Sequence, residues 1–253
     1  MDLVPKVSGS SLNTMRILVL ADIHSNWAAL SAIPTEFDAC IVLGDIVDYG
    51  TNPLPCLDWV QRNADVCIRG NHDHAVAQRV QALGHSGYRR LAAATRPWHW
   101  EILEPQHLKF LARLPVTSYY RPTDLGLFLI HATPRDAMDE YLTQDAEGWR
   151  QRLSNIEADI VCVGHSHLPF HLDLDHIQVL NPGSVGQPRD GDWRASYALI
   201  EDGKISLHRV EYDIDAAVAQ MRSSPLPEWA IQLSEALLRT GGALTKDEMN
   251  SFQ

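Results

Sequence analysis

The sequence predicts an α/β protein built around a parallel sheet. Three short apolar runs, RILVLA, ACIVL and DVCIR, alternate with segments of helical spacing. A short apolar run bounded by glycine or polar residues is typical of a buried strand. Alternating strands and helices imply parallel strands with helices covering the sheet. Ligands in such sheets bind just beyond the carboxyl ends of the strands, and polar side chains concentrate there in this sequence.

The first elements form a βαβαβ unit. The first predicted helix stops at Pro34, and the second has prolines in its first turn, where proline is tolerated. The strands are predicted at Arg16–Ala21, Ala39–Leu43 and Asp65–Arg69, and the helices at Asn26–Ile33 and Pro53–Arg62.

A helical insertion is predicted after the third strand, over residues 74–113. It follows Asn71 and His72 directly, so it could cover a site at the strand ends as a lid. The alternative is that Trp98 and Trp100 bury these helices against the body. We favour this alternative because large aromatic side chains usually pack.

The second half is richer in strands. Asp175-His176 and Asp202-Gly203 are typical of hairpin turns. Two helices are predicted over residues 213–253, around Pro225 and Pro227. Residues 1–14 are predicted to be a disordered leader, and residues 15–253 a single domain. Strands are predicted at Val116–Tyr120, Leu127–Ile130, Ile160–Val163, Phe170–Leu174, Ile177–Leu180, Ala198–Ile200 and Ile205–Val210.

Composition narrows the functional class. Hydrophobic residues make up 45% of the 253 residues, which suffices for a full core. A net charge of −11 argues against binding to bulk duplex nucleic acid. The four cysteines are scattered without a CxxC pair, so we expect reduced thiols and a cytoplasmic location. No apolar stretch is long enough to suggest a membrane partner.

Five apolar runs end in Asp, Asn or His. Mixed ligands of this kind suit Mn²⁺, Fe, Zn²⁺ or Co²⁺ better than Ca²⁺ or Mg²⁺. Converging strand ends would supply enough ligands for two metal ions, and the two oxygens of one carboxylate could bridge them. The residues are Asp22 and His24, then Asp45, then Asn71, His72 and Asp73, then His131, then His165 and His167.

The motifs differ in specificity. Asp22-x-His24 alone is a weak pattern that occurs often by chance, and its alternative is a turn aspartate beside a surface histidine. His131 alone is more often a polar strand end than a ligand. Gly70-Asn71-His72-Asp73 and Gly164-His165-Ser166-His167 after apolar runs are far more specific.

Taken in order, D-x-H, GDxxD, GNHD, H and GHxH resemble the calcineurin-like metallophosphoesterase superfamily. The segments DIHSN, GDIVDYG, RGNHD, GHSH and NPGSVGQPR are most similar to its small bacterial and archaeal phosphodiesterase-like branch. The resemblance covers about residues 16–210. It implies a four-layer αββα sandwich carrying the helical insertion.

The resemblance also implies a ligand set and two catalytic residues. His72 would be the catalytic histidine, Asp48 would orient it, and Asp73 would support the site indirectly or be structural. Mn²⁺ is the first expectation, with Fe, Zn, Co and Ni as alternatives. One metal would take Asp22, His24, Asp45 and His167, and the other Asp45, Asn71, His131 and His165.

The activity implied is hydrolysis of phosphate esters by in-line attack of a metal-bridging hydroxide. Phosphodiesters are the expected substrates, with phosphomonoesters and dinucleoside polyphosphates as alternatives. The non-enzymatic alternative is a metal-binding scaffold, as in the related retromer subunit. That subunit lacks the catalytic histidine, so His72 favours an enzyme.

One departure bears on the substrate. Ser/Thr protein phosphatases of this superfamily carry Asp-Arg-Gly, whereas this chain has Asp48-Tyr49-Gly50. Losing a bidentate phosphate clamp argues against phosphoprotein substrates. Arg189, Arg135 and Asn71 are the remaining candidates for binding substrate phosphate. Ordinary salt bridges explain the two arginines equally well.

Overall fold

The computed structural model describes residues 15–84 and 87–252, so the predicted leader lies outside the described residues. Two five-stranded sheets pack face to face, with helices on their outer faces. The strands are β1 Arg16–Leu20, β2 Ala39–Val42, β3 Val66–Cys67, β4 Thr117–Tyr120, β5 Leu127–Ile130, β6 Ile160–Cys162, β7 Phe170–Asp173, β8 Gln178–Asn181, β9 Ala195–Glu201 and β10 Lys204–Val210. The helices are α1 Trp27–Leu30, α2 Pro53–Asn63, α3 Asn71–Ala77, α4 Gly87–Ile102, α5 Pro105–Arg113, α6 Ala146–Leu153, α7 Ile214–Arg222, α8 Glu228–Thr240 and α9 Lys246–Ser251.

The first sheet has the strand order β10-β9-β1-β2-β3. Strands β1, β2 and β3 run parallel, which confirms the βαβαβ prediction. Strand β9 pairs antiparallel with β1 and with β10. The turn between β9 and β10 holds Asp202 and Gly203 at φ of 50° and 76°, the mirror-image geometry that favours tight hairpins.

The second sheet has the order β4-β5-β6-β8-β7. Its central strands β5, β6 and β8 are parallel, and the edge strands β4 and β7 are antiparallel to their neighbours. The Asp175-His176 turn joins β7 to β8, as predicted. Both sheets therefore direct the carboxyl ends of parallel strands toward one edge, where the site forms.

The side chains of β1 point alternately to the two faces of the first sheet, and this explains how the layers pack. Ile17 and Val19 belong to a core that also contains Leu129 and Leu180 of the second sheet. Leu18 instead packs in a separate core with the helices on the outer face of the first sheet. Both faces of the strand are thus apolar, because both are covered. This arrangement confirms the four-layer αββα sandwich.

Several helices differ from the prediction. Helix α3 begins at Asn71, so the GNHD motif opens a helix instead of ending a strand. Residues 80–84 were predicted as helical but are not. Helix α6 was not predicted; its Trp149 is buried against the second sheet. Three helices follow residue 213 instead of two, because Gly241 ends α8 in the left-handed conformation.

The insertion is attached to the body along α4. Trp100 packs against the core under the first sheet, and Trp98 Nε1 donates to the carbonyl of Thr51 at 3.3 Å. These contacts support the packing interpretation of the two tryptophans. Across the described ranges, no helix is long and apolar enough to cross a membrane.

Candidate metal centre and active site

The ligand residues leave their strands in an unusual backbone conformation. Asp22, His24, Asp45, His165 and His167 have φ between 49° and 63°, in the left-handed region. Such conformations cost about 1–3 kcal/mol each and concentrate at functional sites. Strand β1 ends at Leu20, so the period-two alternation of an extended strand does not explain why Asp22 and His24 lie together. The two side chains meet because the backbone turns at each of them.

One group of ligands consists of Asp22, His24 and His167, all buried. The Nε2 atoms of His24 and His167 lie 3.1 Å apart. Asp22 Oδ1 lies 3.4 Å from His167 Nε2 and 3.9 Å from His24 Nε2. Three donor atoms from two different sheets thus converge on one point.

The second group consists of Asp45, His131 and His165, also buried, with Asn71 beside it. His131 Nε2 lies 3.2 Å from Asp45 Oδ2 and 3.2 Å from Asn71 Oδ1. Asn71 Oδ1 is also 3.2 Å from His165 Nδ1. Asp45 Oδ2 lies 3.9 Å from His24 Nε2 of the first group. Asp45 therefore belongs to the second group and also faces the first.

In three of the ligand histidines, a backbone carbonyl determines that the Nδ1 ring nitrogen carries a proton. His24 Nδ1 lies 3.0 Å from the Val47 oxygen, and His131 Nδ1 lies 2.7 Å from the Leu43 oxygen. His167 Nδ1 contacts a carbonyl in the same way, at 2.6 Å. A carbonyl can only accept, so each Nδ1 carries a proton, and Nε2 is the ring atom left to bind a metal ion. Outer hydrogen bonds of this kind orient metal-ligating histidines.

The residues present fit a metal pair. Within residues 15–84 and 87–252, neither carboxylate oxygen of Asp22 nor His165 Nε2 has a hydrogen-bond partner, although these atoms are buried. Unsatisfied buried polar atoms are costly. Burial raises the pKa of Asp22 to about 7 and lowers those of His24 and His165 to about 3. Neutral histidines facing a carboxylate that lacks a partner suit a cation.

Asp73 organises the backbone under the centre. Its carboxylate accepts from the backbone N–H groups of Asp45 and Ile46, each at 2.8 Å, and of Gly70 at 3.1 Å. A Cβ at Gly70 would lie 2.0 Å from Asp45 Oδ1, so only glycine allows this approach. The geometry supports the structural alternative for Asp73.

His72 lies in the first turn of α3 and lines an open cleft beside the ligands. Its Nδ1 is 2.7 Å from Asp48 Oδ2, so the predicted pairing of these two residues is present. Its backbone N–H donates to Asp45 Oδ1 at 2.8 Å. Burial lowers the pKa of His72, but Asp45 and Asp48 outweigh that effect and the net shift is upward.

Two residues of α4 contact Asp48 and were missed by the sequence analysis. Arg96 donates to Asp48 Oδ2 from Nε at 2.8 Å and from Nη2 at 2.5 Å. His99 accepts from the backbone N–H of Asp48 at 3.1 Å and donates to the Gly50 carbonyl at 3.0 Å. Neither residue belongs to a strand-end motif, so no local pattern marked them.

The cleft has a volume of about 710 Å³. The ring of Tyr49 packs against His24 and His72, with centroids 4.6 and 4.7 Å away. The guanidinium of Arg189 lies 3.9 Å from the ring centroid of Tyr88. No carboxylate pairs with Arg189 in the part of the chain that the structure describes. Arg135 is exposed, pairs with Glu140, and does not line the cleft.

The fold and the paired ligand groups define a metallophosphoesterase-like class, and comparisons with known proteins agree. The family model described as the calcineurin-like phosphoesterase superfamily domain matches residues 15–203. An uncharacterized protein of Methanocaldococcus jannaschii is 34% identical over 236 residues, covering 84% of this chain and 94% of that protein. The chain therefore belongs to the calcineurin-like phosphoesterase superfamily, which confirms the family prediction.

Other relatives are consistent with this assignment. The phosphodiesterase YfcE of Escherichia coli is 24% identical over 227 residues, covering 83% of this chain and all of that protein. A metallophosphoesterase structure from Sphaerobacter thermophilus superposes with a TM-score of 0.76 at 32% identity, covering 90% of this chain and 100% of that one.

Proposed function

We propose that the protein is a metal-dependent phosphoesterase that prefers phosphodiesters. The observation that supports this most directly is the pair of buried ligand groups, with Asp45 of one group facing the other, next to His72 in an open cleft. The cleft is lined by His72, Asn71 and His165, so a small phosphate ester bound in it would lie beside the ligand groups. The names of the YfcE relatives point to the same bond type.

The proposed ligands hold two metal ions, and Mn²⁺ is the first expectation, with Fe, Zn, Co and Ni as alternatives. Bound metals of this kind lower the pKa of water and neutralise phosphate charge. One ion would use Asp22, His24, Asp45 and His167, and the other Asp45, Asn71, His131 and His165.

The protein's own residues would then orient and stabilise the substrate. His72 presents its Nε2 to the cleft, because Nδ1 is paired with Asp48. From there it can stabilise a phosphoryl oxygen or give a proton to the departing alkoxide. Arg189 can donate to a phosphate oxygen from Nη1 and Nη2, since no carboxylate competes for it among the described residues. Asn71 faces the same cleft.

The proposed preference for diesters follows from the amount of positive charge that the protein offers to the substrate phosphate. Tyr49 packs its ring against the histidines where a protein phosphatase of this superfamily has arginine. A single charge on a diester needs less compensation than the double charge of a monoester. The scaffold alternative is less well supported, because His72 is both present and held by Asp48.

The protein is expected to act in a reducing compartment, the cytoplasm. All four cysteines are free thiols, and the three that are fully buried are Cys40, Cys56 and Cys162. Small phosphorylated molecules are the expected partners.

Metal-stripped protein reloaded with Mn²⁺ tests this function. Rates are measured on bis-p-nitrophenyl phosphate, p-nitrophenyl phosphate, cyclic nucleotides and diadenosine polyphosphates. The proposal expects metal-dependent turnover with the highest kcat/KM on a diester. A clear preference for the monoester would contradict the diester assignment. No turnover on any ester with both metals bound would favour the scaffold.

A further inference from the structure

One wall of the cleft is built by residues outside the matched superfamily domain. Helix α9 follows residue 203, and its Lys246, Met249 and Asn250 line the cleft. Asn250 Oδ1 accepts from the N–H of Gly87 at the start of α4, at 3.2 Å. Met249 is buried in a core shared by α4, α8 and α9. The wall is therefore a fixed part of the fold.

The cleft also presents an aromatic face next to the ligands. The ring of Tyr141 packs on His165 with centroids 4.2 Å apart, yet 61% of the residue is exposed. One side of this ring is supported by a ligand histidine and much of the rest is open. Leu83, 82% exposed, lines the same cleft. Apolar and aromatic side chains that line a cleft provide contact surface for an apolar or aromatic group.

Positive charge accompanies this aromatic face. Arg189, Arg89 and Lys246 line the cleft, and none of them forms an ion pair within the described ranges. Asp139 is the single carboxylate of the described lining. Three cations without carboxylate partners stand out in a chain with a net charge of −11. The cleft as a whole is thus suited to a group that is both aromatic and anionic.

We propose that this cleft, closed on one side by the α9 wall, binds the nucleoside-type portion of the substrate. The base would stack on the open face of Tyr141, while its phosphate would contact Arg189. The substrate class would then be a nucleotidyl phosphodiester. A cleft of about 710 Å³ has the size typical of small-molecule sites. This inference rests on the proposed function, because it assigns the scissile phosphate to the same metal centre.

Two diesters with the same leaving group test the selectivity. Thymidine 5′-(p-nitrophenyl phosphate) carries a base, and methyl p-nitrophenyl phosphate does not. We expect the ratio of their kcat/KM values to be about tenfold or more, since stacking on an aromatic side chain contributes on this scale. Tyr141→Ala should reduce the ratio toward one, and Tyr141→Phe should preserve it. Tyr119→Ala is the matched control, since Tyr119 is also 61% exposed but lies on β4.

A binding measurement separates this inference from the proposed activity. Titration calorimetry with AMP and with methyl phosphate needs no turnover and uses the full chain. We expect AMP to bind at least about tenfold more tightly than methyl phosphate, and Tyr141→Ala to remove that advantage. Equal affinities would overturn the nucleoside subsite, as would equal kcat/KM values for the two esters. AMP selectivity without hydrolysis of either ester would instead overturn the proposed function.

Discussion

Asp48 is bound to Arg96 by two hydrogen bonds, both to its Oδ2 atom, at 2.8 and 2.5 Å. The same oxygen lies 2.7 Å from His72 Nδ1. Arg96 also donates to the carbonyl of Val80 at 3.0 Å. One buried carboxylate thus links the proposed catalytic histidine to helix α4 of the insertion.

Replacing Arg96 should destabilise the protein. Arg96→Met would leave Asp48 as a buried charge without its arginine partner, and breaking a buried pair in this way typically costs about 3–5 kcal/mol. Urea unfolding of the two proteins measures the difference in the free energy of unfolding. The control is Arg135→Met, which removes an exposed pair with Glu140 and should cost about 0–1 kcal/mol. An equal loss of unfolding free energy in the two variants would show that the buried pair stabilises the protein no more than the exposed pair does.

His72→Asn should lower kcat while leaving metal binding intact. A positioned acid–base group contributes about 10²–10⁴-fold, so a loss in that range is expected on an alkyl diester. Aryl esters should suffer less, because their leaving groups need no proton. Kinetics on both ester types and elemental analysis of the same samples provide the measurement. If metal content fell in proportion to the rate, His72 would be a ligand instead.

Asp45→Asn should weaken both metal sites at once. The side chain contacts His131 of one group and approaches His24 of the other, so losing its charge affects both. Wild-type protein reloaded with Mn²⁺ should approach two ions per chain by elemental analysis. His24→Ala should mainly affect one ion, and Asp139→Asn, at the exposed edge of the cleft, should retain both. Unchanged metal content in Asp45→Asn would refute the bridging position.

The proposed metal ligands could be predicted from the sequence because Asp, Asn and His recur at the ends of predicted strands. Each of the proposed ligands follows an apolar run, and parallel strands bring their carboxyl ends to one edge, so their convergence could be expected. The backbone conformation at these residues could not be predicted from the sequence. The left-handed turns at Asp22 and His24 depend on contacts with the Asp45 loop, which is distant along the chain. The N–H of His24, for example, donates to the Asp45 carbonyl at 2.9 Å.

Residues contributed by helices were beyond prediction for a different reason. Arg96 and His99 reach Asp48 only because α4 packs across the end of the first sheet. Tyr141 lies in a loop without regular structure, and no spacing relates it to His165. Helix α9 begins after Thr245, whose capping box with Glu248 is visible in the sequence, but its position beside the cleft follows from tertiary packing.

Arg189 supplies the final prediction, which concerns substrate binding. Its guanidinium stacks on Tyr88 and donates to Gln187 Oε1 at 3.1 Å, so the planar group is held in one orientation. Arg189→Lys keeps the charge but loses the stacking and the paired donors. A hydrogen bond to a charged group contributes about 1.5–3 kcal/mol. Because 1.36 kcal/mol corresponds to tenfold, kcat/KM on a diester should fall about ten- to a hundredfold in Arg189→Met.

The Arg189→Lys variant should lie between wild type and Arg189→Met. Arg135→Met is again the control, since that side chain does not line the cleft and the rate should be unchanged. Most of the loss should be in KM if Arg189 binds substrate and transition state alike, and in kcat if it acts on charge that develops during the reaction. A wild-type kcat/KM in Arg189→Met would mean that the guanidinium only packs against the tyrosines and never contacts substrate phosphate.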